Sequence, residues 1–143
     1  MGSRPATELL QLPVQLHGIR LGRPVDLMLD PVDLRAVGFV VLCGDDSVRF
    51  LVFAAAHLGE DSIDVSSALL LLEDVEFYRA RSRSLRDLLG GAVLNRAREV
   101  GDLRDLLLRT GGRVEALVVE HDGVLGRVEP GRATVEPARV SAV

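Results

Sequence analysis

Slid against itself by 79 positions, the chain meets its own landmarks in order. Glu8-Leu9-Leu10 falls on Asp87-Leu88-Leu89, Val14 on Val93, Gly22 on Gly101, and Asp26-Leu27-Met28-Leu29 on Asp105-Leu106-Leu107-Leu108, without a gap. After a one-residue deletion in the next turn, Arg35 falls on Arg113 and Gly38-Phe39-Val40-Val41 on Ala116-Leu117-Val118-Val119. A repeat of this length means that one supersecondary unit occurs twice, so each later reading applies to a pair of positions. It divides the chain into a first unit over 5–78 and a second over 79–143, and 143 residues suffice for one ordinary domain or two very small ones.

Each unit reads as strands. The run Val25–Asp30 stops at Pro31 and its twin Leu106–Arg109 stops at Thr110-Gly111-Gly112, and a valine-rich run follows each stop, which is the pattern of a hairpin. Turn signals about every ten residues favour short antiparallel strands that close on themselves over helices. The expected fold is all-β: two tandem small antiparallel β-barrels related by the repeat. Period two puts Val25, Leu27 and Leu29 on one face and Asp26, Met28 and Asp30 on the other; Leu106 and Leu108 oppose Asp105 and Leu107 in the same way. The aspartates mark the outer face. Met28 and Leu107 are therefore expected on it, as apolar residues that the two units, or two chains, cover.

The motif Leu88-Leu89-Gly-Gly-Ala-Val93, followed by Glu99-Val100-Gly101-Asp-Leu-Arg-Asp-Leu-Leu-Leu-Arg-Thr-Gly-Gly-Arg-Val-Glu-Ala-Leu-Val-Val119, resembles the PRC-barrel domain family. That family is named from the cytoplasmic part of the photosynthetic reaction-centre H subunit and also supplies the second domain of a bacterial ribosome-maturation factor. The second unit is similar to it over 87–119 and the first, more divergent, over 8–42, with Pro13-Val14 at its start and Pro31-Val32-Asp33 in place of Gly111-Gly112. The next strands are Arg49-Phe-Leu-Val-Phe53 and Gly126-Arg-Val-Glu-Pro130, and only the second keeps the family's proline. The resemblance implies docking modules of larger assemblies. It brings no catalytic residue.

Composition narrows the chemistry. All seventeen basic residues are arginine, which excludes a phosphate-loop lysine, a Schiff-base lysine and a lysine general base. The net charge is −4, with five arginines against nine acids over 1–72 and twelve against twelve over 73–143. Such a chain is a poor polyanion binder as a whole, and any electropositive surface belongs to its second half. The lone cysteine, Cys43, excludes an internal disulfide and a cysteine-rich zinc site, in keeping with a reducing compartment. No stretch approaches the about eighteen apolar residues of a membrane span, and Met1-Gly-Ser-Arg leads into no signal-peptide core, so a cytoplasmic protein is expected.

The candidate chemical groups read as structural. His17 lies beside Gly18, His57 precedes Glu60-Asp61, and His121-Asp122-Gly123 forms a turn; none has a second histidine at ligand spacing. Cys43, next to Gly44-Asp45-Asp46, reads as a small buried hydrophobe whose neighbouring carboxylates raise its pKa. The acidic pairs Asp45-Asp46, Glu60-Asp61 and Glu73-Asp74 sit in turns, and Gly90-Gly91 and Gly111-Gly112 precede strands rather than long helices. Phe39, Phe50, Phe53, Phe77 and Tyr78 read as core or inter-barrel packing, with Phe50 and Phe53 on opposite faces so that one of them can be exposed. No catalytic residue, cofactor or metal is expected.

The run Val75-Glu-Phe-Tyr-Arg-Ala-Arg-Ser-Arg-Ser-Leu-Arg86 sits at the entrance to the second unit, with Ser84-x-x-Asp87 as a helix cap and arginines that can pair with Glu73, Asp74 and Glu76. The segment 66–76 before it has no counterpart in the second unit and is expected to cover an open edge or join the barrels. The leading functional expectation is a non-enzymatic protein-interaction or regulatory module, with possible self-association and a surface drawn from Met28, Leu107, Arg79, Arg81, Arg83 and Arg86. The alternative is RNA or ribosome association through Arg79, Arg81, Arg83, Arg86, Arg96 and Arg98.

Overall fold

A computed structural model describes residues 2–138. The chain opens with the short strand β1 (Arg4–Pro5) and one turn of helix, α1 (Ala6–Leu9), and continues through β2 (Val14–Leu16), β3 (Ile19–Leu29), β4 (Ala36–Cys43) and β5 (Val48–Val52). The short strands β6 (His57–Leu58), β7 (Ile63–Asp64) and β8 (Leu71–Leu72) lead to α2 (Val75–Arg79), β9 (Arg83–Ser84) and α3 (Leu85–Leu88). Then come β10 (Ala92–Asn95), β11 (Arg98–Leu108), β12 (Val114–His121), β13 (Val124–Val128) and β14 (Ala133–Val135). No helix among the described residues is long and apolar enough to cross a membrane.

The strands form two sheets, one in the order β6-β7-β2-β3-β4-β5-β8 and one in the order β13-β12-β11-β10-β14. Nearly all pairings are antiparallel; β2 and β7 run parallel. The closed barrels expected from the turn spacing are not found. Both sheets remain open, the first ending at β6 and β8 and the second at β13 and β14. Among the described residues β6 pairs only with β7, β8 only with β5, β13 only with β12 and β14 only with β10, so no ladder joins the two ends of either sheet.

The long strands β3 and β11 are each eleven residues and stand 79 apart in the chain. Each runs straight through a glycine. A Cβ on Gly22 would lie 2.4 Å from the Leu42 carbonyl oxygen, and one on Gly101 would lie 2.4 Å from that of Glu120. The neighbouring strand approaches too closely at both places for any side chain, which accounts for the repeated glycine. Each long strand also carries a β-bulge, between Pro24 and Asp26 and between Leu103 and Asp105. The bulge sets Val25 beside Met28, Val40 and Phe50, on the opposite side from Leu27 and Leu29, so strict alternation misplaces that residue.

The lead-in segments cross over. β1 pairs with β11, placing Arg4 opposite Leu108 and Pro5 opposite Leu107, while β9 pairs with β3, placing Arg83 opposite Leu29 and Ser84 opposite Met28. Each helix that follows drops its apolar residues, Ala6 and Leu9 or Leu85 and Leu88, into one continuous core shared by both sheets. Two matched carboxylates hold the crossing in place. Asp105 Oδ1 accepts the backbone N–H groups of Thr7 at 3.1 Å and Leu106 at 2.8 Å, and its Oδ2 accepts the Thr7 hydroxyl. Asp26 Oδ1 accepts the backbone N–H groups of Arg86 at 3.2 Å and Leu27 at 2.8 Å, and its Oδ2 accepts the Ser84 hydroxyl. The expected cap forms as well, with the Asp87 N–H donating to Ser84 Oγ at 3.3 Å.

Hydrogen bonds to a partly buried carboxylate contribute more than neutral ones, and losing the acceptor strands the donors. Asp26→Ala and Asp105→Ala should each lower the unfolding free energy in urea by about 2 kcal/mol, whereas Asp45→Ala, whose carboxylate accepts only from Ser47 in its own turn, should change it by less than about 0.5 kcal/mol. A loss at only one of the two matched aspartates would contradict their equivalence.

Candidate interaction surface

The two sheets differ at one edge. In the first, the chain itself covers β5: β8 adds alongside it, with Phe50 opposite Leu72 and Leu51 opposite Leu71. Glu73 then bonds Arg49 at 2.8 Å, and Asp74 caps α2 by accepting the Phe77 N–H at 3.3 Å. The helix lays Val75 and Tyr78 over Met28, Val40 and Phe50, and the Tyr78 ring stacks on Phe50 with centroids 3.8 Å apart and planes within 7°. The segment 66–78 thus both pairs the edge and roofs the outer face.

Nothing among the described residues does this for β13. It is the last strand of its sheet, Val124 is 69% exposed and Leu125 62% exposed. Val118, at the level of Val40, is only half-buried, and Arg127 pairs with it where Phe50 pairs with Val40. Arg127 forms no ion pair among the described residues, although Glu115 feels its charge. The result is a five-residue edge with free backbone groups, two bare apolar side chains and one cation. An edge of this kind is a ready template for a further strand.

Met28 and Leu107 do not form an open surface. Met28 is 3% exposed, roofed by α2, and Leu107 is 8% exposed beside β1. Both lie under segments of the same chain, so neither is available to a partner. The arginines of the connecting run do not converge either. Arg79 pairs with Glu76 at 3.4 Å, Arg81 donates to the Phe77 carbonyl at 2.8 Å and lies over its ring, Arg83 donates to the Val135 carbonyl at 2.7 Å, and Arg86 donates to the Val25 carbonyl. Of the three acids expected to pair with this run, only Glu76 does so; Glu73 turns to Arg49 and Asp74 to the helix cap. Arg96 and Arg98 lie apart, in and after the turn between β10 and β11.

Phe50 and Phe53 separate as their spacing implies, but Phe77 is not packed into a core. Phe53 packs on Phe39 in the main core with centroids 5.6 Å apart, Phe50 lies in the smaller outer cluster, and Phe77 is 46% exposed under the Arg81 guanidinium. His17, His57 and His121 are exposed, and no three His, Cys, Asp or Glu residues among those described gather closely enough to hold a metal ion. No family model matches the chain, and no curated protein matches it. The residues that matter at the edge, Val124, Leu125 and Arg127, carry no motif.

Cys43 is half-buried in an open groove with Leu21, Leu69 and Leu71. Burial, with Asp45 adding to it, raises its thiol pKa against the opposing pull of Ser47 and Arg49. A raised pKa leaves less thiolate at a given pH, so alkylation by iodoacetamide at pH 8 should be slower than for glutathione, and its pH–rate midpoint should lie above the ordinary thiol value of about 8.5. A midpoint at or below that value would show that burial and Asp45 do not dominate.

Proposed function

We propose that this chain is a non-enzymatic, cytoplasmic protein-interaction module built from two PRC-barrel-like units, and that it binds a partner protein by adding one of its extended segments to β13. The single observation that carries this reading is the unequal treatment of two equivalent edges. One is covered by 66–78, and the other, among the described residues, has Val124 and Leu125 in solvent. The covered edge also supplies the chemistry of the occupant. Leu71 and Leu72 pair with β5 and Glu73 follows to meet an arginine. On β13 the cation stands two residues after Leu125, so an antiparallel partner strand would present an acid first, opposite Arg127, and apolar residues two and three places later, opposite Leu125 and Val124.

A photo-crosslinking residue at position 125, introduced in the native organism, should give a discrete adduct with one protein. The same residue at Ile19, which is 68% exposed on the other sheet, should not. Val124→Lys combined with a crosslinker at 125 should abolish the adduct without lowering the melting temperature, because the site is exposed and surface changes cost less than about 0.5 kcal/mol. Adducts of equal yield from both positions, or an adduct to RNA in place of protein, would refute the reading.

A further inference from the structure

The two hairpin turns of the long strands meet. The Asp30 N–H donates to the Arg35 carbonyl at 2.8 Å and the Arg109 N–H to the Arg113 carbonyl at 2.9 Å, so the two turns close in the same manner. The Ala36 N–H then donates to the Gly112 carbonyl at 2.9 Å and pins one turn to the other. Arg35 and Arg113, the residues next to that bond, occupy matching places in the repeat. Both line one groove of about 640 Å³, together with Arg132 from the 3-10 turn Pro130–Arg132.

Charge in this groove is unbalanced. The chain carries 21 acids, and Arg4, Arg49, Arg79, Arg104 and Arg109 each pair with one of them. Arg35, Arg113 and Arg132 are exposed, and none of their guanidinium groups has a carboxylate partner among the described residues. The only acid in the lining, Asp33, already accepts the Arg35 backbone N–H at 3.0 Å. Three cations thus face one groove on a protein of net charge −4. Val32, which is 92% exposed, and the half-buried Pro130 supply an apolar wall beside them. Guanidinium forks match the paired oxygens of phosphate, and an anion among them would relieve their mutual repulsion.

We propose that this groove binds a small ligand carrying a diphosphate group, with Arg35, Arg113 and Arg132 on its oxygens and the apolar wall against the rest of the molecule. The site is separate from the β13 edge and does not depend on what docks there. Titration of the intact chain with inorganic pyrophosphate at low ionic strength should give one saturable site with a Kd below about 1 mM. Arg35→Ala, Arg113→Ala and Arg132→Ala should each weaken it about tenfold, and Arg20→Ala, an exposed arginine outside the groove, should not. Arg113→Lys should fall between the wild type and Arg113→Ala, since it keeps the charge and loses the fork. ADP in place of pyrophosphate distinguishes the sources: tighter binding assigns the apolar wall to an organic group, and equal binding assigns the site to free pyrophosphate. Binding that never saturates, or that survives the loss of Arg35 and Arg113 in a chain with an unchanged melting temperature, would overturn the proposal.

Discussion

Two aspartates hold this molecule's plan together. Asp26 and Asp105 stand at the bulges of the two longest strands, and each grips the lead-in segment of the other unit through backbone and hydroxyl donors. A carboxylate that accepts from a helix's first turn satisfies N–H groups that would otherwise lack partners and favours the positive end of the helix. Here the same group also fixes which strand that helix sits on. Once α1 lies on β11 and α3 on β3, their apolar faces can go only inward, and the core becomes common to both sheets. The bulges matter to this. Without the extra residue at Val25 or Arg104, the strand would turn its aspartate away from the helix it must reach.

The two sheets are built alike at this crossing and differ at their outer edges. The first spends fourteen residues or so, 66 to about 79, in covering itself with a strand, a capped helix and a stacked aromatic pair. Both β5 and β13 run straight into a 3-10 turn, Phe53–Ala55 or Pro130–Arg132, and a short strand, β6 or β14; among the described residues a covering segment follows only the first. Since the covering segment brings Val75 and Tyr78 to Met28, Val40 and Phe50, the outer residues of the first sheet are large and apolar. The corresponding level of the second sheet carries Arg127. The difference in side chains follows from the difference in cover, and it makes one face a core and the other a surface.

Much of the local structure was legible in the sequence. The hairpins follow from valine-rich runs stopped by Pro31 or Gly111-Gly112, and the α3 cap follows from Ser84 and Asp87. The crossing was not legible, for a physical reason. Asp26 and Asp105 sit at matching places, and Thr7 and Ser84 are both hydroxyl donors at the start of a helical turn. Either aspartate could hold either segment with the same chemistry, and only the length and course of the connector decide between them. Period two also failed at Val25 because a bulge leaves no mark in the pattern of apolar residues. Met28 looked like surface because its roof, α2, lies about fifty residues away in the chain and is packed by tertiary contact rather than by neighbouring sequence.

The exchange of lead-in segments changes what the connector between the units is for. In a chain of beads, the linker is all that keeps the beads together. Here each half carries a piece of itself inside the other, so separating them requires pulling α1 and α3 out of a shared core. The halves are clasped, and the peptide link through residues 79–83 is redundant as a tether. A copy that lost hold of its own first nine residues could accept those of a neighbour without forming a single new kind of contact, so the bonds that make the monomer firm are also those by which two chains could interlock.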